Sequence, residues 1–464
     1  MRRILVISDS LGTPVHGRGI LNYTAGLIAT LKQFNVGTSL LVETPGLGRI
    51  DRRRPGFEEL TDAALRIMEQ SAVYAYLSGP AVENRLRGKG AHRRLALKAK
   101  SLLRKGAGSL GLKLFEGRVL SAREVENRID AIDYVPTGLG HLASVDVFAL
   151  AGKFYTGSIL RASYDLAPAT IDAQDYDAVV LDTAHFVTLK RGLDTPVILV
   201  IHDLIPLTDP LMREWRIIFA KKLMASLRVA THLVFVSEST RREFGAMFPD
   251  QLSRLPSEII PPIIRSNLMQ AAETATARKP RGEKPVFVSI VSDEPRKNIS
   301  CLVEAFQALQ DEAELVIVGK INTETYIPDR LLLGSNISFT GYVSDQGKMG
   351  LLRRATACIF PSHSEGFGIP IVEGAVFGLP VICSDIPVFR EITDGHASFF
   401  DPNDANQLAQ KVREVAADPE KFVAQAERLR QHCLNSFGAD AVAEKVARLF
   451  ELTPQSSDLG GPSS

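Results

Sequence analysis

Short Val/Ile/Leu runs alternate with longer amphipathic stretches along much of this chain, the pattern of parallel strands joined by crossover helices. In the first half the runs predict strands at Ile4 to Ile7, Ser39 to Val42, Ala178 to Leu181, Val197 to Ile201 and Leu233 to Val236. In the second half they predict strands at Val286 to Val291, Leu315 to Val318, Ile337 to Thr340, Ala357 to Phe360, Val381 to Cys383 and Ser398 to Phe400. Residues 44–175 give no comparable pattern. Between the two sets lies a polar stretch without apolar periodicity, 271–285, which reads as an interdomain linker.

Length agrees with that division, because 464 residues exceed what a single hydrophobic core normally covers. The expected organisation is an α/β chain of two doubly wound, Rossmann-like domains, 1–270 and 286–436, facing one another across a cleft. Residues 437–453 then form a further helix and 454–464 a disordered tail. Ligands of such sheets sit beyond the carboxyl ends of the strands.

Composition narrows the function classes. The formal net charge is +1, so nothing global argues for a nucleic-acid partner. The four cysteines, Cys301, Cys358, Cys383 and Cys433, lack metal-ligand spacing, and three sit in apolar patterns, which reads as buried reduced thiols. Met-Arg-Arg leads directly into the first strand, and no apolar stretch of about twenty residues occurs, so neither a leader nor a membrane span is expected. The expected location is cytoplasmic.

The candidate chemistry concentrates in FPSHSEGFGIPIVEGAVFGLPVICSDIP, Phe360 to Pro387. Its opening closes a predicted buried strand, and Pro370 suits a helical first turn, where its missing N–H has no partner to lose. Glycines Gly366 and Gly368 let the main chain approach a ligand, and the helix start that follows attracts phosphate oxygens. Glu373, on that helix, accepts hydrogen bonds only when ionised, which suits the two hydroxyls of a ribose. Glu365, eight positions earlier, precedes the helix and is placed to reach another part of the same ligand. Elsewhere, Arg296 and Lys297 follow a strand and precede a helix that Asn298 is expected to cap. A forked guanidinium and a point-like ammonium together suit a diphosphate. His202 and Asp203 end the buried strand Val197 to Ile201 and face the expected cleft. Gly17-Arg18-Gly19-Ile20 precedes a helical pattern and would close over the reacting centre. It is a poor dinucleotide fingerprint, since Asn22 replaces the third glycine, so a nicotinamide enzyme is disfavoured.

Three blocks carry a family resemblance. Glu365-Gly-Phe-Gly-Ile-Pro-Ile-Val-Glu373 with the following Gly-Leu-Pro-Val resembles the signature of the retaining glycosyltransferases of family 4, within the group 1 glycosyl transferases. Glu294-Pro-Arg-Lys-Asn298 is similar to that family's donor-diphosphate block, and Phe339-Thr-Gly-Tyr342-Val343 to the segment that holds the nucleotide base. The resemblance covers about 285–405 well and 196–245 fairly. One departure stands at Ile290-Val291, where many relatives carry Gly-Arg, leaving Arg296 and Lys297 as the main phosphate cations.

What the resemblance implies is a GT-B fold whose last helix packs back on the first domain, and transfer of a hexose from a nucleotide diphosphate to a hydroxyl with retention. His202, Glu365, Arg296 and Lys297 would be catalytic. Gly17, Gly19, Asp203, Asn298, Tyr342, Val343, Gly366, Phe367, Gly368, Ile369 and Glu373 would bind substrate. No metal or other cofactor is implied, because the cations replace the divalent ion other sugar-transferring folds use. The HDLIP segment from His202 to Pro206 leans the donor toward GDP-mannose, with UDP-glucose next. Residues 84–115 hold ten Lys or Arg and no Asp or Glu, with Leu95, Ala99, Leu102 and Leu103 on one helical face. They read equally as a solvated flank or as a basic amphipathic helix resting on anionic lipid near a lipid-linked glycan acceptor. A phosphorylase, a sugar-nucleotide epimerase and a non-catalytic binding protein share the same scaffold and stay open.

Overall fold

The computed structural model describes residues 2–8, 18–43, 147–151, 154–163, 165–264, 266–273, 284–319, 321–322, 334–341 and 343–452. Gly17, Tyr342, the basic stretch 84–115, most of 271–285 and the tail 454–464 lie outside these residues.

Two parallel sheets dominate. The first has seven strands: β1 (Arg3–Ile7), β2 (Gly37–Glu43), β3 (Val147–Ala151), β5 (Ala178–Leu181), β7 (Val197–Ile201), β8 (His232–Phe235) and β9 (Ser257–Ile259), in the order β3-β2-β1-β5-β7-β8-β9. The second has six: β10 (Val286–Ile290), β11 (Glu314–Val318), β12 (Ile337–Gly341), β13 (Ala357–Phe360), β14 (Val381–Ser384) and β15 (Ser398–Phe400), in the order β12-β11-β10-β13-β14-β15. A separate pair joins β4 (Ala169–Asp172) to β6 (Val187–Lys190).

β5, β7, β13 and β15 keep the bounds that the apolar runs set, because β5, β7 and β13 are buried at every position and so read as unbroken hydrophobic segments. β4 alternates buried and exposed positions over four residues, too few for the period to stand out, and β9 reads Ser-Glu-Ile. In each large sheet the strand order reverses beside the first strand of the domain, between β1 and β5 and between β10 and β13. Val6 lies opposite Val180 and Phe287 opposite Ala357 across those reversals. Crossovers leave the reversal points open at the carboxyl ends, which is where such sheets take ligands.

The domains share apolar packing. One cluster runs from Val6 and Leu27 through Val442 and Val446 to Phe367 and Phe437. The Ala439–Leu449 helix makes this possible by packing on the Arg18–Gln33 helix and on β9 of the first domain. All four cysteines are free and buried. Burial pushes the Cys301 and Cys433 thiols up to about 12, so they stay protonated.

Candidate active site

A cleft of about 310 Å³ opens between the two domains at the carboxyl ends of both sheets. From the second domain Arg296, Lys297, Glu365 and Glu373 line it, and from the first His202 and Asp203. Gly19, Val343, Phe367, Gly368 and Ile369 border the same space, together with Gly366.

Arg296 and Lys297 leave a 3₁₀ turn, Pro295–Lys297, just after β10, while Glu365 lies just after the adjacent β13. The strand order therefore brings residues 68 and 69 positions apart into contact: Lys297 Nζ donates to Glu365 Oε1 at 2.5 Å and Arg296 Nη1 to Oε2 at 2.8 Å. Ser362 Oγ donates to the same carboxylate at 2.8 Å. Burial alone would raise the Glu365 carboxyl, but Lys297, Arg296 and the hydrogen bonds from Lys297 and Ser362 outweigh it and hold it at about 2. Arg296 also donates to Glu294 Oε2 at 2.8 Å, and Glu365, Glu294 and Asp203 together keep it firmly charged against its burial. Glu365 thus sits between the two cations, paired with both.

Glu373 occupies the first turns of the Ile369–Val376 helix and is only 5% exposed. Its partner was missed in the sequence: Lys348 Nζ lies 2.5 Å from Glu373 Oε1 and 3.7 Å from Asp345 Oδ1. Lys348 comes from the Asp345–Arg354 helix, which Ser344 caps by accepting from the Gly347 amide. Both Lys348 and Asp345 line the cleft. Spacing between Asp345 and Lys348 marks a helix face, but nothing local ties Lys348 to an acid 25 residues on.

Asn298 requires a correction. It occupies the cap position with a left-handed backbone, φ 55°, yet its side chain makes no capping hydrogen bond. Its Nδ2 instead donates to the carbonyls of Pro361 at 3.0 Å and Pro402 at 2.7 Å, and it is absent from the cleft wall. The left-handed backbone turns the amide away from the helix's own N–H groups and into the ends of two neighbouring loops. Asn298 therefore ties the Arg296–Lys297 turn to the loop before Glu365 and stands off the residues that line the cleft.

Gly366 also differs from expectation. A Cβ there would run into the carbonyl oxygen of His202, so the glycine serves a close approach between the domains as well as bordering the cleft. Gly368 holds φ 116°, a conformation open mainly to glycine, and caps the helix in which Pro370 takes a first-turn position.

On the first-domain side, His202 Nε2 lies 2.8 Å from the Asp182 carbonyl, so Nε2 carries the hydrogen and Nδ1 is the acceptor. Burial lowers the His202 pKa, only partly offset by Asp182 and Asp203, which favours the neutral ring. Tyr23 packs edge-on against it at 4.9 Å. Asp203 Oδ1 accepts from the Ile205 amide at 3.0 Å, and burial raises its pKa, opposed chiefly by Arg296. Among the described residues no group of three or more His, Cys, Asp or Glu is arranged to hold a metal ion, and no helix is long and apolar enough to cross a membrane.

The geometry joins two cations paired with Glu365, a buried acid at a helix start paired with Lys348, and a neutral histidine across the gap. Comparison with known proteins fits this arrangement. Residues 272–432 match the family described as glycosyl transferases group 1. The serotype-specific mannosyltransferase WbdA of Escherichia coli is 29% identical over 245 residues, 47% of this chain but 29% of that enzyme. The O-antigen chain mannosyltransferase RfbU of Salmonella typhimurium is 25% identical over 262 residues, 56% of this chain and 70% of its own length. Among solved structures, sucrose-phosphate synthase from Thermosynechococcus elongatus superposes with a TM-score of 0.58 at 14% identity, covering 97% of this chain and 98% of that one. Anabaena HepE in complex with UDP-glucose gives 0.57 at 13% identity, over 97% of this chain and all of that one. The fold is GT-B, and residues 272–432 are similar to the glycosyl transferases group 1.

Proposed function

We propose that this protein is a retaining, metal-independent glycosyltransferase of family 4. In this reading it moves a hexose from a nucleotide diphosphate to a hydroxyl of a glycan or lipid-linked acceptor in cell-surface polysaccharide assembly. The observation that carries the reading is the convergence of Arg296, Lys297, Glu365 and Glu373 on one cleft with His202 across from them. A departing nucleoside diphosphate gains negative charge in the transition state, so preformed cations there stabilise the transition state more than the ground state. Arg296 and Lys297 take the diphosphate together with the helix start at Gly368, and Glu373 takes the ribose. Glu365 holds both cations in position and shares the sugar hydroxyls. His202 offers Nδ1 as acceptor toward the transferred sugar.

GDP-mannose is the first donor we propose, supported by the two mannosyltransferase relatives, and UDP-glucose the second, supported by the sugar nucleotide in Anabaena HepE. The acidic side chain of Asp345 beside Val343 also suits the N–H edge of guanine, a pair of donors that uracil lacks. Residues 84–115 would rest on anionic lipid at the cytoplasmic face, placing the cleft near its acceptor.

Thermal-shift screening against a panel of sugar nucleotides names the donor, because a ligand that binds only the folded state raises its melting temperature. Nucleotide release with and without acceptor, in the presence of EDTA, then tests transfer and metal independence together. Turnover that needs inorganic phosphate would mark a phosphorylase, turnover without acceptor an epimerase, and binding without turnover a non-catalytic protein. Replacing four cations of 84–115 by Glu should abolish flotation with anionic liposomes at low salt; unchanged flotation removes the membrane contact.

A further inference from the structure

The Glu238–Met247 helix belongs to the first domain, and its first turn is completed by the second. Ser237 caps it by accepting from the Thr240 amide at 3.0 Å. That leaves the amides of Glu238 and Ser239, which point out of the helix end and need acceptors. Both find one carboxylate: Glu391 Oε1 accepts from Glu238 N at 2.6 Å and Oε2 from Ser239 N at 2.7 Å. Glu391 sits near the end of the Pro387–Thr393 helix of the second domain. Glu238's own carboxylate is turned back to Arg241 and Arg242 and does not compete.

The inner side of the same helix end touches the candidate active site. Ser237 Oγ donates to the Gly366 carbonyl at 2.8 Å and Thr240 Oγ1 to the same oxygen at 3.1 Å. Gly366 lies between Glu365 and Phe367 and abuts the His202 carbonyl. One helix start, Ser237 to Thr240, therefore grips the donor loop on its inner face and the Glu391 carboxylate on its outer face.

We infer that Glu391 is a positioning residue: by clamping two backbone amides across the domain boundary, it sets the registration of His202 against the Glu365–Gly368 loop. This rests on the reading of the cleft as a glycosyl-transfer site. Glu391 itself does not line the cleft, whereas the donor-side groups Arg296, Lys297 and Glu373 all belong to its own domain. Loss of the clamp should therefore spare donor binding and impair transfer, which needs both domains in register. A carboxylate is the fitting group, because its two oxygens match two successive amides at a helix end and its charge complements the helix dipole there.

The test compares Glu391→Ala and Glu391→Gln with the unaltered protein by amide hydrogen exchange, small-angle scattering and nucleotide release from GDP-mannose and UDP-glucose. In Glu391→Ala the Glu238 and Ser239 amides should exchange at least tenfold faster and the radius of gyration should grow. The kcat should fall at least tenfold with the donor KM within twofold. Glu391→Gln, which keeps its shape and one acceptor oxygen, should fall between the two and guards against an Ala variant that fails to fold. Unchanged amide protection and scattering, or a kcat loss that only tracks the loss of folded protein, overturns the inference. If the unaltered protein turns over neither donor, the catalytic reading fails on that arm alone, and exchange and scattering still decide whether Glu391 holds the domains together.

Discussion

Lys348 Nζ lies 2.5 Å from Glu373 Oε1, so the acid proposed to hold the ribose meets its ligand already paired with a cation. The two side chains are 14% and 7% exposed, and a pair this buried is costly to break from one side. Lys348→Met should destabilise the fold by about 3 kcal/mol, because a buried carboxylate loses its cation. Adding Glu373→Gln to that variant should recover most of the loss. Urea denaturation of the unaltered protein and the two variants, with midpoints compared at constant m, measures both effects.

Removing Arg296 or Lys297 should cost activity as well as stability, because each also deprives the buried Glu365 carboxylate of a cation. Lys297→Ala and Arg296→Ala should each lower kcat/KM for nucleotide release by about a hundredfold, the scale of losing one preformed donor at a developing negative charge. Lys297→Arg should restore only part, since a planar fork does not occupy the place of a point-like ammonium.

Gly366→Ala separates steric contact from backbone strain. No left-handed φ is involved at Gly366; the added Cβ meets the His202 carbonyl instead. Gly395 is the converse control, with φ 73° and nothing within 4 Å of an added Cβ. Gly395→Ala should cost about 1 kcal/mol in stability with activity kept. Gly366→Ala should lower transfer at least tenfold while donor binding, read by thermal shift, persists.

Stability should respond to acid through Glu365. Its carboxyl is held at about 2 against an ordinary 4.5, so its contribution is fully present above pH 4.5 and lost as pH falls toward 2. The difference corresponds to about 3 kcal/mol. Glu365→Gln should be less stable than the unaltered protein at neutral pH and close to it near pH 2, as read from urea midpoints between these limits.

Much of the architecture is written in local pattern. Val197 to Ile201 and Ala357 to Phe360 are legible because strands buried on both faces need every position apolar, and a run of such residues is visible without a structure. Glu365, the glycines after it, Pro370 and Glu373 are legible for a similar reason: strand end, turn and helix start follow one another in the chain, so their chemistry is a matter of spacing. β9 and β4 escape because neither is an unbroken apolar run: β9 reads Ser-Glu-Ile, and β4 alternates buried and exposed positions.

What the chain by itself determined is thus the parallel α/β class and many of the acids, glycines and cations that line the cleft. The tertiary structure alone decided which of these groups meet. Lys348 reaches Glu373 across 25 positions, Ser237 reaches Gly366 across 129, and Glu238 reaches Glu391 across 153. Asn298 turns from a cap into a tie between loops because its backbone is left-handed. Such pairings depend on strand order and on how two sheets face each other, and the free energy that sets these comes from burying both cores at once. No window of the sequence contains that information, because the partners are brought together only when the whole chain has packed.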